Sequence, residues 1–278
     1  MQLVSVDFHI TPVRDLKHVI ELSGLPADVD EYSLSGQCDE VGTCGEGRIE
    51  VLRAAAGHSL YLTQETKEEF FSAYDYAGSL FHSADAMVCS HPSGMCELLM
   101  PFNRTALVWA TTRFEQGREK NRTRLEGLIA NLHALDNAGR LILAANNLYD
   151  VHYLNYFVGR MPALVPSLSA FAADARWSWD GGVDPVLVWG LLPEKAGAAD
   201  SLLARLHLAA PDWSFESVRR IYDGGYSPGQ IARHPAVLHM PYQVSIMSLF
   251  EHYSMCVPVL APSRALLARL HADLQLVS

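Results

Sequence analysis

The chain has 278 residues, of which 49% are hydrophobic and 19% charged, with a formal net charge of −10 and a sequence pI near 5.6. This length allows either one large domain or two modest domains with cores of their own. The excess of acidic residues argues against a general nucleic-acid binder, because neutralising phosphates requires clustered lysine and arginine. No apolar run approaches the roughly 20 residues needed to cross a bilayer, so we predict no membrane span.

The cysteines and the first residues of the chain indicate the cellular compartment in which the protein works. Five cysteines do not make a disulfide framework, and the start MQLVSVDFH is typical of a strand, not of a signal peptide. We therefore expect a cytoplasmic protein. Two Asn-Arg-Thr sequons, at Asn103 and Asn121, leave a secretory lumen open as the alternative, in which Cys38 and Cys44 could close a small loop.

Strand-like and helix-like runs alternate along most of the chain, which predicts an α/β fold with mainly parallel sheets. The run LVSV leads to Asp7 and then to a helix that we expect Thr11 to cap and Gly24 to end. Strands are then predicted over 86–90 and at ALVWATT, LILAA and ALV. Helices are predicted between them, over about 94–100, through 125–132 and after Asn147.

An irregular stretch from Ser169 to Gly182 follows, and we place a domain boundary within it. The prediction is two Rossmann-like lobes, an amino-terminal lobe over 1–172 and a small carboxy-terminal lobe over 173–278. The second lobe contains the strand PVLVWG, a helix around 202–208 and a last helix from about Ser263.

The segment over 236–262, AVLHMPYQVSIMSLFEHYSMCVPVLAP, predicts a strand, a short polar loop, a helix and a second strand. Helical periodicity assigns an apolar face to Ile246, Leu249, Phe250 and Tyr253. The same periodicity assigns the solvent-facing side to Ser245, Ser248, Glu251 and His252. Backbone N–H groups in the first turn, with the positive end of the helix dipole, suit a phosphate.

Polar side chains follow the ends of the predicted strands. Because ligands bind beyond the carboxyl ends of parallel strands, these residues form a candidate site. They are Asp7, His9, His91, Thr112, Arg113, Asn146, Asn147 and Asp150 in the first lobe, and Tyr242, Gln243 and Ser245 in the second. Two lobes that face each other across such ends would make a cleft for a polar ligand.

Several of these residues have two interpretations, one as a chemical group of the site and one as a purely structural group. His9 is the candidate general base, with Asp7 or Asp150 setting its tautomer, and the alternative is a histidine that caps the following helix. Arg113 and Arg118 could hold a diphosphate, or they could form ordinary salt bridges. For Asn146, Asn147 and Asp150, capping of a helix is the simpler interpretation.

We predict no metal and no bound cofactor. The Asp28-Val29-Asp30 pair imitates a metal-binding Asp-x-Asp motif, but no buried strand precedes it, so we expect a solvated loop. Five further residues lack the short paired spacing of a structural zinc site: Cys38, Cys44, Cys89, His91 and Cys96.

The segment from Gln243 to Glu251, followed by VPVLAP, resembles the donor-binding motif of GT-B glycosyltransferases, in which one acidic residue precedes a helix and a second lies within it. The resemblance implies a nucleotide sugar as co-substrate on the carboxy-terminal lobe, a hydroxyl-bearing acceptor on the amino-terminal lobe, and no metal. By resemblance Glu251 holds the ribose or sugar hydroxyls, and Ser245 and Ser248 face the phosphates beside Tyr242 and Gln243.

Two further positions matter to this resemblance. Arg113 and Arg118 are similar in character to the family's basic pair that neutralises the leaving diphosphate. Gln243 stands where retaining members commonly have the first acid, so the resemblance favours an inverting enzyme with His9 as the base.

Two other functions stay open from the sequence. The first is epimerisation or hydrolysis of a nucleotide sugar on the same fold, with Glu97, Glu115 or Asp150 as acid/base carboxylates. The second is a two-lobed protein that binds a polar ligand without reacting with it.

Overall fold

The structure, a computed structural model, describes residues 1–33, 62–115, 121–190, 196–223, 225–241 and 245–274. These residues form two compact units, Met1–Ser167 and Leu168–Ser278, here called unit 1 and unit 2. The candidate residues Arg118, Tyr242 and Gln243, and the pair Cys38 and Cys44, lie outside the described residues. Of the helices described, none has the length and apolar character needed to cross a membrane.

Unit 1 contains a six-stranded sheet with helices between its strands. Its elements in chain order are β1 (Gln2–Asp7), α1 (Ile10–Ser23), β2 (Asp28–Ser33), α2 (Gln64–Tyr74), α3 (Leu80–Ser83), β3 (Ala86–Cys89), α4 (Cys96–Leu99), β4 (Thr105–Ala110), α5 (Arg122–Asn137), β5 (Leu141–Ala145), α6 (Leu148–Phe157) and β6 (Ala163–Leu164). The strand order is β2-β1-β3-β4-β5-β6, and each described pair is parallel. Short 3-10 turns, Ser93–Met95 and Met100–Phe102, flank α4 where one continuous helix was predicted.

Unit 2 contains a smaller, four-stranded sheet. After a 3-10 turn at Ala170–Ala172, its elements are β7 (Val186–Trp189), α7 (Ala196–Ala209), β8 (Phe215–Ser217), α8 (Val218–Ile221), α9 (Pro228–Ile231), β9 (Val237–His239), α10 (Met247–Ser254), β10 (Val259–Leu260) and α11 (Arg264–Leu274). The strand order is β10-β9-β7-β8, again with parallel pairs. The predicted α/β fold with two Rossmann-like parallel sheets, the second smaller, is confirmed.

The core of unit 1 lies on both faces of its sheet. In β1 the side chains from Leu3 to Asp7 are all buried, so the strand has no solvent face. Helix α5 buries Leu128, Leu132 and Leu135 against this core. Continuous burial of this kind is typical of a central parallel strand covered by helices on each side.

Each sheet has a point where the chain changes its direction of travel across the strands. In unit 1 the chain goes from β1 outward to β2 and then returns to β3 on the other side of β1. In unit 2 it goes from β7 outward to β8 and returns to β9 on the other side of β7. The two connections leave in opposite directions, so a ligand crevice is expected at the carboxyl ends of β1 and β3 and at those of β7 and β9.

Strand β2 was not expected from the sequence. The prediction of a solvated loop at Asp28-Val29-Asp30 is wrong, because these residues open a strand that pairs with β1 over its whole length. Its charges fit the edge of a sheet. Asp30 accepts a hydrogen bond from Gln2 Nε2 at 2.6 Å, and the buried Glu31 pairs with Lys17 Nζ at 3.4 Å.

The predicted faces of helix α10 are wrong at His252 and Tyr253, whereas Ile246 is buried as predicted. The helix buries Met247 and His252, whereas Tyr253, assigned to the apolar face, is 66% exposed. The His252 ring packs edge-on against Trp189 at the end of β7, with ring centroids 4.4 Å apart. An indole offers a large apolar surface to a neutral imidazole. Packing of the His252 ring on Trp189 therefore outweighs the preference of this polar side chain for solvent, on which the predicted faces were based.

Candidate functional site

The Asp7 carboxylate lies at the carboxyl end of β1 and is 1% exposed. It accepts four hydrogen bonds from described residues. Oδ1 accepts from the backbone N–H of His91 at 2.6 Å. Oδ2 accepts from the Ser90 hydroxyl at 2.5 Å, the Ser90 N–H at 3.3 Å and the Ser5 hydroxyl at 3.2 Å. A single side chain thus ties the ends of β1 and β3 together at the switch point of unit 1.

His9 is the N-cap residue of α1. Its Nδ1 accepts a hydrogen bond from the backbone N–H of Thr11 at 3.2 Å. The capping role left open for His9 is therefore present, and the prediction that Thr11 caps this helix is wrong. Thr11 instead lies in the first helical turn and donates to the cap. The partner at Nδ1 is the donating amide of Thr11, whereas the sequence had suggested that the carboxylate of Asp7 or Asp150 would set the tautomer.

His91 lies at the end of β3 and is 7% exposed. Its backbone is held from both sides, because its N–H donates to Asp7 and its C=O accepts from the Phe8 N–H at 2.8 Å. The ring is 5.5 Å from that of His9, centroid to centroid, in an edge-to-face arrangement. Its Nδ1 is 2.9 Å from the Thr112 hydroxyl. His9, His91 and Thr112 therefore lie at neighbouring strand ends.

The hydrogen-bond network continues across the sheet. The Thr111 hydroxyl donates to the Ser90 carbonyl at 3.1 Å, and Asn146 Nδ2 donates to the Thr111 carbonyl at 2.8 Å and to the Ser167 hydroxyl at 3.1 Å. The ends of β3, β4 and β5 are thus joined through buried side chains. Polar groups buried in this way fix backbone position, because each would be costly to leave unpaired.

Asn147 and Asp150 form the start of α6. Asn147 Oδ1 accepts from the Asp150 N–H at 3.0 Å, which makes Asn147 the N-cap. Asp150 Oδ1 accepts from the Phe114 N–H at 2.8 Å and so holds the loop after β4. The simpler capping interpretation of these residues is confirmed for Asn147.

Burial shifts the pKa values of the acids and histidines in opposite directions. Desolvation raises the pKa of Asp7 to about 7, against its hydrogen bonds, and raises that of Asp150 to about 6. Burial lowers the pKa of His9 to about 4 and, with a contribution from His9, that of His91 to about 3. Both imidazoles are therefore neutral near pH 7.

The other charged candidates of unit 1 are held in pairs. Arg113 Nη1 lies 3.9 Å from Glu115 Oε1, which also accepts from the Tyr149 hydroxyl at 3.4 Å. Glu97 Oε1 accepts from Asn131 Nδ2 at 2.8 Å, and its Oε2 lies 3.9 Å from Lys67 Nζ. The alternative acid/base carboxylates Glu97 and Glu115 thus have structural partners.

In unit 2 the candidate donor residues lie at and within α10. Ser245 is 5% exposed, and Glu251 is half-buried one turn from the end of the helix. The N-cap residue is Ile246, whose side chain has no atom that could accept a hydrogen bond. The Ser248 hydroxyl is buried and has no hydrogen-bond partner among the described residues. Ile246 therefore provides no side-chain cap for the first turn of α10.

Two buried histidines in unit 2 were not singled out by the sequence. His239 ends β9 and is 3% exposed, and His252 in α10 is 0% exposed, with ring centroids 5.8 Å apart. None of their four ring nitrogens has a hydrogen-bond partner in the described structure. Burial lowers the pKa of His239 to about 4 and, with a contribution from His239, that of His252 to about 3. Helical periodicity had assigned His252 to solvent and gave no signal for this pair.

The described residues contain no group of three or more His, Cys, Asp or Glu side chains placed to hold a metal ion. A cavity of about 600 Å³ lies elsewhere in unit 2, near the amino ends of β7 and β8, and is lined in part by Trp179, Asp184 and Trp213. It is separate in position from the carboxyl strand ends, where the candidate residues gather.

Comparisons with known proteins place glycosyltransferases among the similar structures. No family model matches the sequence, and no curated protein matches it. UGT89C1 from Arabidopsis thaliana, solved in complex with UDP-L-rhamnose, has 12% identity and a TM-score of 0.46, over 99% of this chain and 90% of that one. The glycotransferase of kitacinnamycin has 13% identity and a TM-score of 0.39, over 99% of this chain and 83% of that one. At this low similarity, fold and function rest on this chain's own elements and residues.

The Ser90 hydroxyl should contribute measurably to stability. At pH 8 the Asp7 carboxyl, with a pKa of about 7, is mostly ionised. We expect Ser90→Ala to lower the free energy of unfolding by about 1.5–3 kcal/mol, the usual value of a hydrogen bond to a charged group. The control is Ser72→Ala on the exposed side of α2, which should change it by less than about 0.5 kcal/mol. Equal urea denaturation midpoints for the two variants would contradict this description of Asp7.

The buried histidines of unit 2 should make the chain lose stability in acid. Their folded pKa values, about 4 for His239 and about 3 for His252, lie below the ordinary 6.5, so the unfolded chain binds more protons than the folded chain as pH falls from about 6.5 toward these values. Stability is therefore fully present above about pH 6.5 and is lost as pH falls. His252→Phe should reduce this loss by up to about 1.4 kcal/mol for each pH unit, because one proton-binding site is removed.

The measurement is the free energy of unfolding in urea, from pH 4 to 8, for the wild-type protein and for His252→Phe. Comparing each variant with wild type cancels the opposite contributions of Asp7 and Asp150, whose raised pKa values favour the folded state in acid. The exposed His152 provides the control, and His152→Phe should leave the pH profile unchanged. A His252→Phe profile parallel to that of wild type would show that His252 is not buried in its neutral form.

Proposed function

We propose that this chain is a glycosyltransferase that moves a sugar from a nucleotide-sugar donor to an acceptor hydroxyl, with inversion and without a metal. The observation that carries the proposal is the pair of neutral imidazoles, His9 and His91, fixed at the carboxyl ends of β1 and β3. A histidine that is unprotonated at working pH can take a proton from a hydroxyl nucleophile. The switch point of a parallel sheet is where small ligands bind in this class of fold.

The donor class is supported by unit 2. Its β9, α10 and β10 segment is a parallel strand, helix and strand unit, and it carries the residues that resemble the GT-B donor motif. Ser248 has a buried hydroxyl without a described partner in the first turn of α10, and Glu251 follows one turn later. Hydroxyl and backbone donors at a helix start suit a diphosphate, and a carboxylate suits sugar or ribose hydroxyls. Arg113 and Arg118 are proposed to stabilise the charge of the leaving diphosphate.

In the proposed reaction the acceptor hydroxyl attacks the anomeric carbon of the donor. The bond from that carbon to the phosphate oxygen breaks, and its electron pair leaves with the nucleoside diphosphate. A switch-point histidine takes the hydroxyl proton as the new glycosidic bond forms. Asp7 contributes indirectly, by holding the His91 backbone through its N–H.

Donor binding gives the first test. A nucleotide sugar that binds the folded chain should raise its melting temperature and should bind in isothermal titration. We expect Glu251→Ala to weaken this binding by about tenfold or more, the loss of a hydrogen bond to a charged group. Tyr253→Ala is the control on the same helix, because Tyr253 is 66% exposed, and it should leave the dissociation constant unchanged.

Product analysis separates the reaction classes. Transfer requires the sugar to appear on the acceptor, and the amount should fall to background when the acceptor is omitted. Release of free sugar at the same rate without acceptor would favour hydrolysis. Absence of binding by every nucleotide sugar and nucleoside diphosphate in a broad panel would contradict the proposal.

A further inference from the structure

The two imidazoles at the switch point of unit 1 are not equivalent. Their ring centroids are 5.5 Å apart, yet each ring is held by a different kind of hydrogen-bond partner. A neutral imidazole has one N–H and one lone pair, and the partner at one nitrogen decides which group the other nitrogen presents. The partners at the two Nδ1 atoms therefore decide which ring can accept a proton at Nε2.

In His9 the hydrogen-bond partner at Nδ1 fixes the tautomer of the ring. A backbone N–H can only donate, so the Thr11 amide at 3.2 Å requires a lone pair on His9 Nδ1. The proton of neutral His9 is then on Nε2, and that nitrogen donates. For Nε2 to accept a proton, Nδ1 would have to carry the other proton, and the N-cap of α1 would be lost.

In His91 the partner is a hydroxyl. Thr112 Oγ1 lies 2.9 Å from Nδ1 and can accept as well as donate. His91 can therefore carry its proton on Nδ1 and present a lone pair at Nε2 with this hydrogen bond intact. Of the two rings, His91 is the one that can act as a base at Nε2 and keep the hydrogen bond described at its Nδ1.

The position of His91 is also more firmly held. Its N–H donates to Asp7 Oδ1 at 2.6 Å, and its C=O accepts from the Phe8 N–H at 2.8 Å. Both the N–H and the C=O of His91 are thus bonded to residues at the end of β1. Its ring is bonded to Thr112 at the end of β4. A base must be held within hydrogen-bond reach of the proton it removes, so this double attachment suits the role.

We propose that His91 Nε2 is the proton acceptor of the sugar transfer, that Thr112 is its positioning residue, and that His9 is a neutral N–H donor beside it. The inference rests on the proposed function and assigns the catalytic residue within it. The proton of the acceptor hydroxyl goes to Nε2 as the hydroxyl oxygen bonds to the anomeric carbon, and the imidazolium then releases it to solvent. An anionic donor bound nearby favours this imidazolium, because negative charge raises the pKa of a histidine.

Nitrogen NMR of the wild-type chain tests the tautomers without any assay of activity. In ¹⁵N-labelled protein at pH 7, we expect the proton of His9 on Nε2 and that of His91 on Nδ1. The spectra of His9→Asn and His91→Gln assign the two rings. Asparagine is a favoured N-cap residue, so His9→Asn keeps the hydrogen bond to Thr11. A His91 proton on Nε2, with its lone pair on Nδ1, would overturn the proposal.

Kinetics of the same variants test the chemical role. His91→Gln should lower kcat by about 10²- to 10⁴-fold, the usual contribution of a general base, with little change in donor affinity. With saturating donor, it should also abolish the loss of kcat at acid pH, because kcat reports the pKa of the base in the substrate complex. His9→Asn should lower kcat by less than about tenfold and keep that acid limb. If His9→Asn costs as much as His91→Gln, the assignment is wrong.

Thr112 provides the positioning test. Thr112→Val removes the hydroxyl that holds Nδ1–H, so kcat should fall, and the His91 nitrogen shifts should indicate a mixture of tautomers. Thr112→Ser keeps the hydroxyl and should restore both. A wild-type chain that neither binds nor turns over a nucleotide sugar would refute the proposed function, whereas active wild-type enzyme with the opposite tautomers would refute only the assignment to His91.

Discussion

The buried carboxylate of Asp7 is the interaction on which the site of unit 1 depends. It joins residues far apart in the chain, accepting from Ser5 on its own strand and from Ser90 and His91 at the end of β3. Its place at the switch point means that it holds the two strands between which the chain reverses direction. A carboxyl with a pKa near 7 is costly to bury in its charged form, and its four donors offset part of that cost.

The network that starts at Asp7 explains how reactive groups are placed on a rigid support. Through Ser90, Thr111 and Asn146 it reaches the ends of β4 and β5, so the imidazoles of His9 and His91 lie on an edge of fixed backbone. Burial keeps both rings neutral, and the amide or hydroxyl at Nδ1 decides which can accept a proton. Unit 2 repeats the arrangement of strands but places His239 and His252 in an apolar setting beside Trp189, where they contribute packing.

Sequence patterns predicted the fold class and most central strands, because buried parallel strands such as LILAA and PVLVWG are continuous apolar runs bounded by polar residues. Edge strand β2, DVDEYS, was missed because its charges are accommodated only by tertiary partners such as Lys17 and Gln2. The polar strand ends were found as candidates, and capping by His9 was among the alternatives, but the link from Asp7 to His91 was not found, because these two residues meet only in the folded chain. The burial of His252 against Trp189 likewise has no signal in helical periodicity.

A crystal structure with a nucleoside diphosphate and a hydroxyl-bearing acceptor is the most direct test of the roles of Asp7 and His91. We expect the acceptor at the carboxyl ends of β1 and β3, with its hydroxyl oxygen within about 2.6–3.2 Å of His91 Nε2, the reach of a general base. We also expect that Asp7 still accepts from Ser90 and His91 in that complex. An acceptor bound away from these strand ends, or an Asp7 carboxylate released from His91, would contradict the account.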